Sequence, residues 1–244
     1  MVQNGVDPTS VEGSSTLPYA IPNMSVGLTS TKVGVPVLWW RSVGSTHTGY
    51  ATEVFLDEII DAVGADPVEY RLALLKDHPR HAAVLKLAAE KAGWGKALPE
   101  GHSLGVSVHE SFSSYVAQVA EVSVDGTDIK VHRVVAAVDV GTAINPDTIK
   151  AQIEGGVGFG LGAILQEEIT LTKGEVDQGN YDTYLPLRID HMPQVEVHIM
   201  PSTEPPTGVG EPGVPPIGPA VANAVFRASG RRIRTLPFSK GMTA

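Results

Sequence analysis

The apolar period of this chain changes once, and that change limits its architecture more than any other feature. Apolar side chains recur at helical spacing from about residue 45 to residue 92, then at every second position from Leu104 to Val138. The first block predicts three helices. One runs from about 45 to 63, with Val54, Phe55, Ile59, Ala62 and Val63 on one face and Gly64 as its stop. A second opens at Asp66-Pro67-Val68-Glu69, where Asp66 can cap, Pro67 suits the first helical position and Glu69 can reach back. A third spans about 79 to 92 and ends at Gly93. The second block predicts strands through Leu104, Val106 and Val108, through Ala120, Val122 and Val124, and over 129–138, with Asp125-Gly126 as a turn.

Beyond this switch, Asn145-Pro146-Asp147 starts a long helix whose later part, 153–165, is rich in glycine. Lys173-Gly174 marks a hairpin, and Val195, Val197 and Ile199 mark a further half-buried strand. Gly218-Pro219 begins a final helix that Gly230 ends. Upstream, the Pro-punctuated stretch 17–23 and the alternation Val33, Val35, Val37 leading to Leu38-Trp39-Trp40 predict extended strands, the second ending in a turn at 41–44. Helices and strands in blocks, with hairpin connections, indicate an α+β fold of mixed, largely antiparallel sheets with packed helices. We expect two parts: residues 1–100, a strand plus helical block with the Trp-Arg-Ser turn, and residues 101–244, an α+β subdomain.

Composition removes several functions. There is no Cys, so this chain can supply no disulfide, thiolate metal site, cysteine nucleophile or iron–sulfur ligand. With 18 Lys+Arg against 27 Asp+Glu the net charge is −9, without a basic block, which argues against a nucleic-acid groove or an anionic membrane surface. No apolar run approaches the ~18 residues of a membrane span. Residues 1–11 lack the basic and apolar regions of a cleavable leader, and either side of a bacterial membrane stays open as the compartment.

Three segments can carry chemistry. The glycines of 155–162 tempt a dinucleotide-binding reading, but that motif needs a strand before it and a helix opening at it; here they fall inside a helix, where small residues allow close packing. Residues 201–219 contain seven Pro and four Gly, a stiff loop holding Glu204 and Glu211. Gly208-Val209-Gly210-Glu211-Pro212-Gly213 places glycines on both sides of a carboxylate, so the backbone can approach another group closely. Such a carboxylate suits general-base work; an exposed Glu in a proline-stiffened turn is the alternative that local features favour. Glu204 reads as plain loop surface. In Trp40-Arg41-Ser42-Val43-Gly44, Arg41 offers a planar fork to an anion or oxo group, or equally stacks on a tryptophan at the surface. Of the histidines, His78 and His81 share a helix face and read as solvated surface without a third metal ligand, and Asp139 reads as a turn residue ahead of Gly141.

Taken in order, these segments resemble one family. The run from Val138-Asp139-Val140-Gly141 through Asn145-Pro146, Gln152-Ile153-Glu154-Gly155 and Gly160-Leu161-Gly162 to Glu167-Glu168 is similar to that of the molybdenum hydroxylases, the xanthine dehydrogenase and aldehyde oxidase family. Gly208-Val209-Gly210-Glu211-Pro212 resembles its G-(V/A)-G-E-P loop, and Trp40-Arg41-Ser42-Val43-Gly44 its aromatic-Arg-small-x-Gly turn. The Trp-Arg-Ser wording and Gly213-Val214-Pro215-Pro216 are most like the large subunits of isoquinoline 1-oxidoreductase and membrane-linked aldehyde dehydrogenases.

The resemblance implies a fold of the molybdenum-cofactor-binding type and a molybdenum held by molybdopterin, in the cytosine dinucleotide form, with no metal ligand from protein side chains. It implies oxidation of an aldehyde or N-heterocycle with water as oxygen source, with Glu211 as general base. Gln152, Gly208, Val209, Gly210 and Arg41 are implied to lie at the cofactor, Arg41 toward the substrate. Val43 departs from the Phe the family often places there. Gly-Gln-Gly-type cofactor loops do not occur, so the likeness is to the C-terminal part of a molybdenum subunit, as a fragment, split-gene product or truncated frame. Implied partners are the remainder of that subunit, a small [2Fe–2S] subunit and a cytochrome c acceptor. The alternative to catalysis is an isolated, non-catalytic assembly module.

Overall fold

Ten to twelve residues of period-two patterning build each of three long strands, and a computed structural model, which describes residues 5–35 and 37–243, joins them into one sheet. Strand β1 (His102–Ser111) pairs antiparallel with β2 (Ser114–Asp125), which pairs antiparallel with β3 (Asp128–Asp139). Two minor strands, β4 (Leu171–Thr172) and β5 (Glu175–Val176), form the hairpin at Lys173-Gly174. Strand β6 (Gln194–Ile199) then joins β3 in parallel, giving the order β1-β2-β3-β6. The sheet is mixed and mainly antiparallel.

The alternation divides the strands cleanly between two faces. Leu104, Val106, Val108, Ala117, Val119, Val135 and Ala137 face one layer, built from α1 (Val43–Ala62), α2 (Pro67–Leu74) and α3 (Pro79–Ala92). Ala120, Val122 and Val134, with Val116, Ala136 and Val138, face the other. That layer holds α4 (Pro146–Leu165), α5 (Ile217–Ser229) and the short α6 (Phe238–Gly241). Gly105 lies on the second face against α5, where a Cβ would meet Ala220 O and Ala224 N at 2.2 Å. Helix α5 is buried along most of its length, so period alone could not have assigned it an inner face.

Two helix starts carry the predicted caps. Asp66 Oδ1 accepts from Val68 N and Glu69 N, and Asn145 Oδ1 accepts from Thr148 N. Helix α1 differs: Ser42 makes no side-chain cap, and Glu12, from an upstream turn, accepts from Gly44 N at 2.9 Å.

Four expectations are corrected. Residues 17–23, 33–35 and 37–40 enter no sheet; Tyr19 is buried and Ala20 N donates to Leu74 O, but the other residues of these stretches lie along the surface, and only the turn closed by Val43 N on Trp40 O persists. Helix α1 also turns most of its expected apolar face outward: Val54 is buried, but Phe55, Ile59, Ala62 and Val63 are exposed, while Glu53 and Asp57 are buried. Arg71 reverses that face by donating to Glu53 Oε2 at 3.0 Å and Asp57 Oδ1 at 3.2 Å from within the core. Helix α5 is followed by α6 and is not the last. His81 is buried against Tyr115, not solvated. Of the leader reading over residues 1–11, residues 1–4 lie outside the described residues. Among the described residues no helix is long and apolar enough to cross a membrane.

Candidate active site

The stiff loop and the glycine-rich helix meet because each lacks side chains where the other approaches. A Cβ on Gly156 would stand 3.1 Å from Gly213 Cα, and one on Gly213 would stand 3.2 Å from Ile153 Cα. One turn on, a Cβ on Gly160 would stand 2.4 Å from Ile217 Cγ2. The helical reading of these glycines holds, and their use is to seat the loop that carries Glu211.

The sheet fixes the loop from the other side. Gln118, buried on the second face of β2, donates from Nε2 to Gly213 O at 2.9 Å. Ser114 Oγ donates to Gly208 O at 2.5 Å and shares a 2.7 Å hydrogen bond with Thr207 Oγ1. Val209 packs into the small apolar cluster of Val138, Ile149 and Ile153. A loop without regular structure is thus held at both ends by side chains of the sheet.

Arg41 and Ser42 close the site. Arg41 donates from Nε to Gly210 O at 2.9 Å and from Nη2 to the same oxygen at 2.5 Å. The same Nη2 reaches Gln152 Oε1 at 3.3 Å, and the guanidinium lies 5.4 Å from the Phe159 ring centre. Trp40 packs on Phe159 at 4.5 Å, so Arg41 joins the site and does not merely stack on a tryptophan. Ser42 N donates to Glu211 Oε1 at 2.9 Å while Ser42 Oγ donates to Glu211 O at 2.7 Å. Glu211 is half-buried, and its Oε2 has no hydrogen-bond partner among the described residues.

This clamp carries backbone strain. Ser42 has φ of 72° and Val43 of 49°, the second in a region that a β-branched residue rarely enters. The hairpin between β1 and β2 repeats the feature at Phe112 and Ser113, with φ of 54° and 59°. Phe112 stands over Gly208, where a Cβ would lie 3.3 Å from the Phe112 Cβ.

All six residues singled out from sequence, Arg41, Gln152, Gly208, Val209, Gly210 and Glu211, therefore belong to one neighbourhood. Sequence reading missed the supports. Ser42 was passed over as a small turn residue, and Gln118 had a usable signal as a polar residue between Val116 and Ala120 on an inward face. Phe112 gave none, since a two-residue turn is expected to use Gly or Asn. Asp139 does serve the turn, accepting from Gly141 N at 2.9 Å, and it also holds Arg80 through two 2.7 Å bonds. Burial alone would raise the Asp139 carboxyl; the hydrogen bonds from Arg80 and Gly141 N, with the Arg80 charge, bring it below its ordinary value. Glu204 is exposed, with its carbonyl accepting from Thr142.

Two glycines at the site have no internal reason to be glycine. Apart from chain neighbours and the helix's own backbone, nothing lies within 4 Å of where a Cβ would stand on Gly155, and beside Gly210 only Gln152 Oε1 does, at 4.0 Å; neither has positive φ. Gly155 shares a helix face with Gln152 and Phe159. Smooth backbone beside an amide and a guanidinium fits a bulky, hydrogen-bonding group better than it fits packing within the chain.

Comparison with known proteins agrees with that chemistry. A family model described as a molybdopterin cofactor-binding domain matches residues 80–193, which include Gln152. The isoquinoline 1-oxidoreductase subunit beta of Brevundimonas diminuta is 35% identical over 224 residues, covering 90% of this chain and 29% of that protein. A membrane-bound aldehyde dehydrogenase [pyrroloquinoline-quinone] of Gluconacetobacter polyoxogenes is 36% identical over 220 residues, covering 82% of this chain and 28% of that protein. The chain thus spans about three tenths of the length of these relatives. The crystal structure of the aldehyde oxidoreductase from Desulfovibrio desulfuricans shares the fold, with a TM-score of 0.65 at 13% identity over 84% of this chain and 41% of that one.

Proposed function

The chain belongs to the molybdenum hydroxylase family, and from that premise we propose that it supplies the base-bearing part of a centre that oxidises an aldehyde or an N-heterocycle with oxygen from water. The observation that supports this most directly is the clamp on Glu211: one carboxylate oxygen is held by Ser42 N, the other has no hydrogen-bond partner among the described residues, and the preceding residue, Gly210, is tied through Arg41 to Gln152. A general base needs a fixed direction and an open lone pair, and this carboxylate has both.

The molybdopterin group, proposed in its cytosine dinucleotide form, supplies when bound the two-electron redox chemistry that no side chain offers. The chain's own residues bind, orient and take up a proton. Gln152 and the flat backbone at Gly208, Gly210 and Gly155 hold the group through an amide and close main-chain approach. Val209 anchors the loop in the core. Arg41 ties Gly210 to Gln152 and presents the rest of its guanidinium to a polar substrate atom. Glu211 Oε2 accepts the proton of the water whose oxygen enters the product, while Ser42 keeps the carboxylate from turning away.

Electrons have to leave the centre, and this chain has no cysteine to hold a cluster, so a small [2Fe–2S] subunit and a c-type cytochrome are the proposed relay. The test is Glu211→Gln in the assembled, cofactor-loaded enzyme. Turnover should fall about 10²–10⁴-fold with molybdenum content unchanged. Near-normal activity would show that Glu211 is not the base. A chain that takes up no molybdopterin even with its complementary polypeptide would favour the assembly module instead.

A further inference from the structure

Immediately before Arg41 the chain runs through Val37, Leu38, Trp39 and Trp40, which are 80%, 93%, 51% and 42% exposed. Four consecutive apolar residues at the surface, two of them tryptophan, form the kind of patch that soluble proteins keep for binding. The patch borders a groove of about 540 Å³ with Asp7, Thr9, Ser10 and His47 on its far wall. Among the described residues, 37–39 lie outside every helix and strand and take part in no hydrogen bond, main-chain or side-chain, so their peptide groups are open to a second chain.

We propose that residues 37–40 are a docking edge for the part of a molybdenum subunit that this chain does not span, which pairs with the open main chain and seats an apolar surface on Leu38 and Trp39. Two observations choose this occupant over others. The relatives match nearly all of this chain with less than a third of their own length, so more than two thirds of that polypeptide type has no counterpart here. The patch is also continuous with the catalytic turn: Trp40 lies on Phe159, and the next two residues hold Gly210, Gln152 and Glu211. Docking at 37–40 thereby stiffens the segment from which Arg41 and Ser42 project. The proposal rests on family membership and is independent of the proton chemistry assigned to Glu211.

The test co-expresses the full chain with a tagged polypeptide comprising the part of the Brevundimonas diminuta isoquinoline 1-oxidoreductase subunit beta outside its 224-residue match. The two should co-purify, and amide exchange at Leu38, Trp39 and Trp40 should slow about a hundred-fold relative to the free chain. Leu38→Asp and Trp39→Asp should each weaken capture at least about ten-fold. Leu38 is almost fully exposed, so the melting temperature and circular dichroism of the free Leu38→Asp chain should not change. Glu211→Gln should leave capture intact, which separates a failure of the docking edge from a failure of the proposed base. Three results would overturn the proposal: no complex, a complex with unchanged exchange at 37–40, or full-strength capture by both variants. A free chain that sediments as a dimer with these amides protected would assign the edge to a second copy and overturn it equally.

Discussion

At the scale of single residues, the buried Arg71 is the most consequential side chain outside the candidate site. It donates to Glu53, Asp57 and the Pro67 carbonyl, while Arg227 and Arg232 also donate to Asp57. Tyr19 donates to Glu53 Oε1 at 2.5 Å; burial, then the Glu53 charge, pushes its phenol up and keeps that proton in place. Removing one partner from such a cluster strands a charge in low dielectric, which is worse than lacking the cluster altogether. Arg71→Met should therefore cost about 3–5 kcal/mol in urea unfolding. Adding Glu53→Gln should recover part of that loss; further destabilisation by the second change would show that the cluster does not act as a unit.

At the scale of elements, two pairs meet at backbone distance, α5 on β1 and α4 on the loop that carries Glu211. Gly105→Ala tests the first. Its new methyl would stand 2.2 Å from the main chain of α5, which cannot yield as a flexible side chain would. The helix has to lift from the sheet, at a cost of about 1–3 kcal/mol or more. Because Ser107 and Asn223 bridge the same two elements, near-neutral unfolding for Gly105→Ala would mean that α5 slides freely on the sheet. Helix α1 shows why its inward face was misread: apolar spacing selects Phe55, Ile59 and Val63, yet an arginine from α2 makes the carboxylate face the inner one. No local pattern on α1 announces a partner 18 residues further along the chain.

At the scale of the whole molecule, two neutral histidines in the core set the acid limit. Burial lowers His109 to about 4, and burial with the nearby charges of His78, His109 and Arg80 lowers His81 to about 3. Unfolded histidine binds its proton near 6.5. Between roughly pH 6.5 and 4 the unfolded chain therefore holds more protons, and stability falls as pH drops through that window, by up to about 1.4 kcal/mol per pH unit for each group. His109→Gln should flatten that slope, read as unfolding midpoints from pH 7 to 4.5. An unchanged slope would show that His109 does not stay neutral in the folded protein. Below about pH 4 the Arg80–Asp139 pair adds a second loss, as the depressed carboxyl of Asp139 finally takes up its proton.

The sequence by itself determined the order of the main helices and strands from residue 43 to Gly230, the three-stranded antiparallel unit, the helical setting of the 155–162 glycines and the family motifs around Gln152 and Glu211. These are local properties of period, caps and turns, in which each residue's neighbours along the chain state its role. Only the tertiary structure decided which side of α1 is buried, that residues 33–35 and 37–40 join no strand, and that Ser42 holds the Glu211 carboxylate. Each of these depends on a partner far along the chain, Arg71 for Glu53 and Glu211 for Ser42, or on the lack of one for the exposed run before Arg41. Pairing across the fold is settled by which groups can be desolvated together, and linear spacing carries no record of it.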